Sequence, residues 1–525
     1  MMRTIFQRES LIEQLTAAGE WDIIVIGGGA SGLGVALDAL SRGFKTLLVE
    51  GVDFAKGTSS RSTKLVHGGV RYMAQGDIAL VQEALHERGL LAQNAPHLVA
   101  DLSFVIPNYS WWGGPFYTLG MKLYDVLAGR LSLGKSIHID KGETLRRIPT
   151  VKSEKLKGGV LYHDAQFDDA RLAVNLAQTC LQLGGIAINY FPVTGLIKDK
   201  SGKVKGVRAV DAETQKDCDL YAKVVVNATG VFVDDILRMD RLQAQPMVKP
   251  SQGVHLVLDK SFLPGTDAIM IPRTDDGRVL FAVPWHNRVL VGTTDTPLDK
   301  YSYEPVALKS EVDFILRTAG QYLTHPPKRS DVRSVFAGLR PLAAPQDGRR
   351  KTKEISRSHK VLVSRSNLIT LIGGKWTTFR KMGQDVVDRA IRENFLSERK
   401  SQSEKQQIWG AMENVDRSDH LYVYGADKRA LLGLIERDQR LGEKLHPSLA
   451  FTGAEVVWAV RNELARTLED VLARRVRALF LDARAAVKMA PEVAGIIARE
   501  LGRDTEWKKS QVADFTALAQ NYTLT

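Results

Sequence analysis

The chain is 525 residues long, 44% hydrophobic and 25% charged, enough for two or more domains around a sizeable core, and this composition excludes a collagenous, disordered or polytopic membrane protein. Its 72 Lys and Arg against 60 Asp and Glu leave a net charge of +12, which suits a negative partner: nucleic acid, anionic lipid or a phosphorylated substrate. The two cysteines, Cys180 and Cys218, form no CxxC pair, which argues against a disulfide framework or a cysteine-rich metal site and for a reducing compartment.

The first 22 residues lack the apolar core of a signal peptide and carry Glu9, Glu13, Glu20 and Asp22, which predicts a short helical lead-in. A buried strand follows at 21–26 (WDIIVI), then GGGASG, a helix from 32 to 43 and a second strand at 46–50. These make a βαβ unit, the start of a doubly wound, Rossmann-like sheet. Within it, Gly27, Gly29 and Gly32, with Ala30 and Ser31 between them, form G-x-G-x-x-G at the strand-to-helix turn, where backbone amides and the helix N-terminus can approach a pyrophosphate. Glu50 closes the second strand at the distance expected of an acidic residue bonding ribose hydroxyls. The pattern indicates a dinucleotide and leaves FAD and NAD both open.

The most lipophilic stretch, 109–128, is interrupted by Lys122 and Asp125, so nothing here is expected to span a bilayer. Its aromatic patch, Trp111, Trp112, Phe116 and Tyr117 with Lys122 and Arg130, suits either a lipid interface or core packing. Two more buried strands are expected at 223–230 (KVVVNATG) and 367–375 (NLITLIGGK), and alternating segments between them (VHLVLD, RVLFAVPW, RVLVGTTD) predict an antiparallel sheet inserted into the nucleotide domain. The nucleotide-binding segments are placed at about 20–75, 165–235 and 365–390, and the substrate or cap segments at about 76–164 and 236–364. The basic run 349–353 reads as a solvated loop. A polar linker is expected at 391–407 and a helical domain at 408–525, where Val457, Leu464, Leu468 and Leu472 share a helical spacing and Thr467 followed by Glu469 and Asp470 reads as a cap dividing two helices.

The segment 53–72, DFAKGTSSRSTKLVHGGVRY, combines hydroxyls, glycines and basic residues just beyond the second strand, and it resembles the flavin-contacting segment of FAD-dependent glycerol-3-phosphate dehydrogenases. The resemblance continues through FDDARL (167–172), NATG (227–230), PW and GTTD (284–295), GLRPL (338–342), ISRSH (355–359), GGKWTTFRKM (373–382) and EDVLARR (469–475), nearly the whole chain, with mild departures at Val70 and Trp376. It implies FAD as cofactor and Thr58, Ser59, Ser60, Ser62, Gly230, Gly373 and Gly374 as its further contacts. It also implies Arg71, Arg340, Arg357 and Lys375 as substrate-site cations.

Those residue types fit oxidation of a phosphorylated secondary alcohol, which needs a cationic clamp for the phosphate, a base for the hydroxyl proton and a hydride acceptor. His67 is placed in the active site, as base or as positioning group, whereas His255 and His286 carry no motif and read as satisfied interior histidines. The expected reaction takes sn-glycerol 3-phosphate to dihydroxyacetone phosphate, with electrons passing to a membrane quinone. No D-x-D-x-D-G calcium loop occurs in the tail, which points to a bacterial type, cytoplasmic and peripheral to the inner face of the membrane on anionic lipid. No metal or nucleic acid is expected, and a homodimer is compatible. A glycerol-3-phosphate oxidase using oxygen and a flavin amine or amino-acid oxidase are the rival readings.

Overall fold

The computed structural model describes residues 6–69, 77–110, 113–272, 274, 277–344 and 359–524. Among these residues the strands form two sheets, of eight and ten. The nucleotide sheet runs in the order Lys360–Val363, Ile369–Ile372, Lys216–Asn227, Trp21–Ile26, Thr46–Val49, Ile186–Ile188, and every pairing after the first is parallel. Trp21–Ile26 lies mid-sheet, flanked on both edges, so Ile23 to Ile26 are buried throughout, as a continuous apolar run requires. A small antiparallel extension, Val193–Lys198 with Val204–Asp211, continues from the long strand Lys216–Asn227.

The helices Ala30–Ser41 and Phe379–Arg392 cross on one face of this sheet with almost no room between them. A Cβ on Gly34 would stand 2.3 Å from the Phe379 carbonyl, and one on Gly383 would stand 2.1 Å from that of Gly34. The close crossing brings the chain after Ile369–Ile372 back beside the first glycine turn.

The cap sheet is built mainly of antiparallel pairs: Val248–Asp259 with Ser334–Ala343 and with Arg288–Gly292, and Ala100–Asn108 with Gly158–Gln166. Leu65–Val66 joins this second sheet, so the segment beginning at 53 carries the chain from one layer into the other. The polar tract 391–407 is pinned: Ser401 and Ser403 both donate to Asp38, at 2.6 and 2.7 Å, and Asn94 donates to the Glu404 carbonyl at 2.9 Å.

Beyond it the chain is helical, with Gly453–Asn462, Ala483–Leu501 and Thr505–Gln520 packed together and a π-turn at Asp470–Arg475. Leu464 lies in the left-handed region at φ 54°, which ends the helix begun at Gly453, and the Thr467 hydroxyl accepts from the Asp470 amide at 3.2 Å where the next begins. No helix among the described residues is long and apolar enough to cross a membrane.

Candidate active site

One continuous cavity of about 790 Å³ lies between the two sheets, within the size range of cofactor pockets. Its lining includes Gly27, Gly29, Ala30, Ser31 and Glu50 with Asp235 and Tyr303, and also His67, His255, Arg340, Lys375 and Trp376. Thr58, Ser59, Ser62, Gly230, Gly373 and Gly374 line it as well.

The cavity fits an extended dinucleotide on its own geometry. Gly27 holds φ 112°, and a Cβ there would meet the Ala228 carbonyl at 2.8 Å, so the turn before the helix Ala30–Ser41 closes only with glycine. The Ala30 amide at that helix's N-terminus donates to the Ser59 hydroxyl at 2.9 Å, which puts a hydroxyl beside the positive end of the helix, where a pyrophosphate binds. The Glu50 carboxylate accepts from the Gly28 and Val52 amides at 2.6 and 2.9 Å, and burial raises its pKa. Two amides leave lone pairs over, so ribose hydroxyls can still donate to it.

Not every expected cofactor contact faces the cavity. Ser60 is buried away from the lining, with its carbonyl taken by Lys64 and Arg477, both at 2.8 Å. Ser62 lines the wall, but its hydroxyl donates to Asp169 at 2.7 Å. Gly32 is also off the lining; a Cβ there would collide with the Gly27 carbonyl, so this glycine serves the tight turn. Arg71, Arg357 and Val70 lie outside the described residues, as do Trp111 and Trp112.

The part of the cavity wall carrying His255 and Arg340 follows from the register of two cap strands. His255 pairs with Phe336, Gly253 with Gly338, and Ser251 with Arg340, so all six occupy one face of the sheet. The glycine pair leaves a hollow, and Arg340 reaches back across it: a Cβ on Gly253 would lie 2.4 Å from its Nη2. Its guanidinium is set by the Gln252 and Thr294 carbonyls at 3.2 and 2.9 Å and by Asp295 at 3.3 Å. Lys375 follows the Gly373–Gly374 turn, where both glycines have positive φ, and Trp376 next to it donates to the Ser59 carbonyl at 2.8 Å.

His255, read from the sequence as a satisfied interior histidine, lines the cavity. It stacks on Phe336 with ring centroids 5.0 Å apart, and its Nε2 meets the Thr63 hydroxyl at 2.9 Å. Its Nδ1 is buried with no hydrogen-bond partner among the described residues. Burial, with the Lys64 and Arg340 cations nearby, drives its pKa well below the ordinary imidazole value, so it is neutral at pH 7. The available signal was a polar ring in an apolar strand, two residues from Gly253 and hence on its face. His286, by contrast, is off the lining and faces Asp168 at 3.4 Å.

His67 stands at the head of a glycine turn fixed by a buried network that reaches the cavity wall at Asp164. The Gly68 amide donates to the Tyr124 hydroxyl at 2.7 Å, that hydroxyl donates to Asp164 at 2.7 Å, and Arg88 pairs with the same carboxylate at 2.9 Å. The His67 ring lies edge-on to Phe281 at 6.3 Å, continuing a wall of Phe281, Phe104 and Tyr162.

The wall is also braced from the helical tail. Arg474 and Arg475 reach Asp53 at 2.6 and 2.7 Å, and Arg477 reaches Asp169 at 3.1 Å. Burial alone would raise the Asp53 pKa, but the two guanidinium groups hold it well below its ordinary value. Removing one partner of such a buried network typically costs about 3–5 kcal/mol, so the segment carrying Thr58 to Thr63 depends on the tail for its shape.

Comparison with known proteins adds the remaining observation. A family profile described as FAD dependent oxidoreductase matches residues 22–387, and one described as the C-terminal domain of alpha-glycerophosphate oxidase matches 364–508. The mitochondrial glycerol-3-phosphate dehydrogenase of Homo sapiens is 38% identical over 96% of this chain and 74% of its own. That of Schizosaccharomyces pombe is 36% identical over 95% and 87%. This chain belongs to the FAD-dependent glycerol-3-phosphate dehydrogenase family. The structure of the Bacillus halodurans glycerol-3-phosphate dehydrogenase complexed with FAD superposes with a TM-score of 0.80 at 30% identity, covering 99% of this chain and 98% of that one. FAD is accordingly the cofactor, and the sheet-on-sheet frame with its helical tail is the family's architecture.

Proposed function

We propose that this dehydrogenase oxidises sn-glycerol 3-phosphate to dihydroxyacetone phosphate and passes the electrons to a membrane quinone. The observation that supports the reading is that His67, His255, Arg340 and Lys375 line the same cavity as Glu50 and the glycine turn. Bound FAD supplies the hydride acceptor there. Gly27, Gly29, Ala30 and Ser31 would hold its pyrophosphate, Glu50 its ribose, and Gly373 and Gly374 its ring.

Arg340 and Lys375, with Arg71 and Arg357 as further proposed members, clamp the phosphate dianion, the guanidinium contributing a preset planar fork. His255 takes the hydroxyl proton as the hydride leaves the adjacent carbon. A neutral imidazole can accept it, and a bound dianion offsets the neighbouring cations that otherwise hold its pKa down. His67, on its braced glycine turn, fixes the substrate against the Phe281 wall. The aromatic and aliphatic lining excludes water, which strengthens each of these electrostatic contacts.

Membrane contact is supported by the helix Gly113–Ala128. Met121 and Tyr124 face inward, while Phe116, Leu119, Leu123 and Val126 form an outer stripe at spacings of three and four, with Leu119 and Val126 each 74% exposed. A single outward apolar stripe on a net cationic protein suits the interface of an anionic bilayer.

The test is anaerobic mixing of the purified protein with sn-glycerol 3-phosphate while flavin absorbance is followed, then admission of a soluble quinone or oxygen. Bleaching followed by quinone-dependent recovery is expected. A flavin that stays oxidised with this substrate yet bleaches with an amino acid would refute the phosphate reading, and recovery with oxygen alone would refute the quinone.

A further inference from the structure

The segment 298–308 joins the short strand Thr296–Pro297 to the helix Lys309–Tyr322 without regular secondary structure of its own. Both of its ends are fastened to the cap: the Leu298 amide donates to the Pro250 carbonyl at 3.0 Å, Gln252 donates to the Val306 carbonyl at 3.0 Å, and the Leu308 amide donates to Glu311 at 3.1 Å. Its middle leaves the cap and reaches the nucleotide domain. The Tyr301 hydroxyl donates to Asp235 at 2.6 Å and accepts from Arg238 at 2.8 Å. The Tyr303 ring lies on Phe232, centroids 4.1 Å apart and planes 25° from parallel, with Tyr301 edge-on to the same ring.

A second fastening ties this span to the helical tail. Glu304 accepts from Lys56 at 2.5 Å, from Arg61 at 2.7 Å and from the Tyr522 hydroxyl at 2.9 Å, and Arg61 also holds the Tyr303 carbonyl at 2.6 Å. Lys56 in turn pairs with Glu469 at 2.6 Å. Three parts of the chain, far apart in sequence, therefore meet on one carboxylate.

Tyr301, Ser302, Tyr303 and Phe232 line the same cavity as Glu50, and the Tyr303 phenol is close enough to feel the Glu50 charge. Burial, with the Glu50 charge nearby, pushes the Tyr303 phenol up to about 12, so a neutral ring borders the carboxylate assigned to the ribose. Adenine is flat and apolar on its faces, and an offset aromatic pair beside the ribose site suits it.

We propose that 298–308 is a strap closed over the adenosine half of FAD, with Tyr303 on Phe232 as its clasp and Glu304 to Tyr522 as its latch, so that it sets the rate at which FAD exchanges. The proposal rests on FAD occupying the cavity and adds residues that neither the glycine turn nor the flavin-end motifs include. Release from the adenosine end requires the clasp to part and the ion pairs at Glu304 to rehydrate together. The tail thus governs cofactor retention through Tyr522 without touching the flavin.

The experiment dilutes the holoenzyme and follows the rise of free-flavin fluorescence, with far-UV circular dichroism confirming folded protein. Tyr303→Ala loses the stacking and is expected to release FAD about ten-fold faster. Tyr522→Phe removes one hydroxyl from the latch and is expected to release it about three-fold faster. Should Tyr303→Ala not fold, Tyr522→Phe and Tyr301→Phe carry the same test with single-atom changes. Release rates equal to the parent's in the folded variants would overturn the strap while leaving the FAD assignment standing.

Discussion

Tyr124→Phe removes one oxygen from the bracing of the His67 turn and keeps the ring that packs there. In the parent, that oxygen accepts the Gly68 amide and donates to Asp164, each at 2.7 Å, and burial together with the Asp164 charge keeps the phenol protonated far above pH 7. A hydrogen bond to a charged group contributes about 1.5–3 kcal/mol, and a buried amide left unpaired costs about 1–3 kcal/mol. The two belong to one network and overlap, so a local loss of about 2–4 kcal/mol is expected. Hydrogen exchange read by mass spectrometry is the suitable assay, because a multidomain flavoprotein does not unfold in two states. The peptide spanning 65–69 should exchange about 30-fold to about 1,000-fold faster while Trp21–Ile26 keeps its protection. Flavin reduction by substrate should slow by about ten-fold or more as His67 loses its placement. Unchanged exchange at 65–69, or equal acceleration in both peptides, would refute the argument.

His255→Asn should slow flavin reduction by about 100-fold to 10,000-fold in stopped-flow mixing, with the fall of that step on the acid side removed; an unaltered profile would remove His255 as base. Glu469 has a carboxyl that burial would raise but that Arg474 and Lys56 hold at about 2, below its unfolded value of 4.5. Its contribution of about 3 kcal/mol is present above pH 4.5 and lost as pH falls towards 2, so Glu469→Gln should be less stable than the parent at pH 7 and equal to it near pH 2 by circular dichroism. Leu119→Glu with Val126→Glu should abolish sedimentation with anionic vesicles while leaving flavin content intact, and undiminished sedimentation would dismiss the outer stripe as the docking face.

Much of this protein was legible along the chain because it is local. A strand, a glycine turn, a helix and an acidic strand end lie within 30 residues, and only one backbone path satisfies that order. The segment 53–72 and the glycine pair before Lys375 were identified through the family resemblance, and the structure sets Thr58, Ser59, Gly373 and Gly374 along the cavity. The three serines 59, 60 and 62 read alike in the sequence, yet only Ser59 turns its hydroxyl to the helix N-terminus. That difference comes from Asp169, Lys64 and Arg477, which draw the other two away.

Tertiary structure alone decided the rest. His255 and Arg340 share a face because their strands pair in one register, and a slip of one residue between the strands would put them on opposite faces. Asp53 and Arg475 are 422 residues apart, and Glu304 gathers Lys56, Arg61 and Tyr522 from opposite ends of the chain. Charge pairing of this kind carries no local pattern, since any lysine, arginine or glutamate reads as a solvated surface residue until burial makes a partner obligatory. The sequence by itself determined the glycine turn and the family; which side chains line the cavity beside that turn was decided by folding, through contacts that only desolvation enforces.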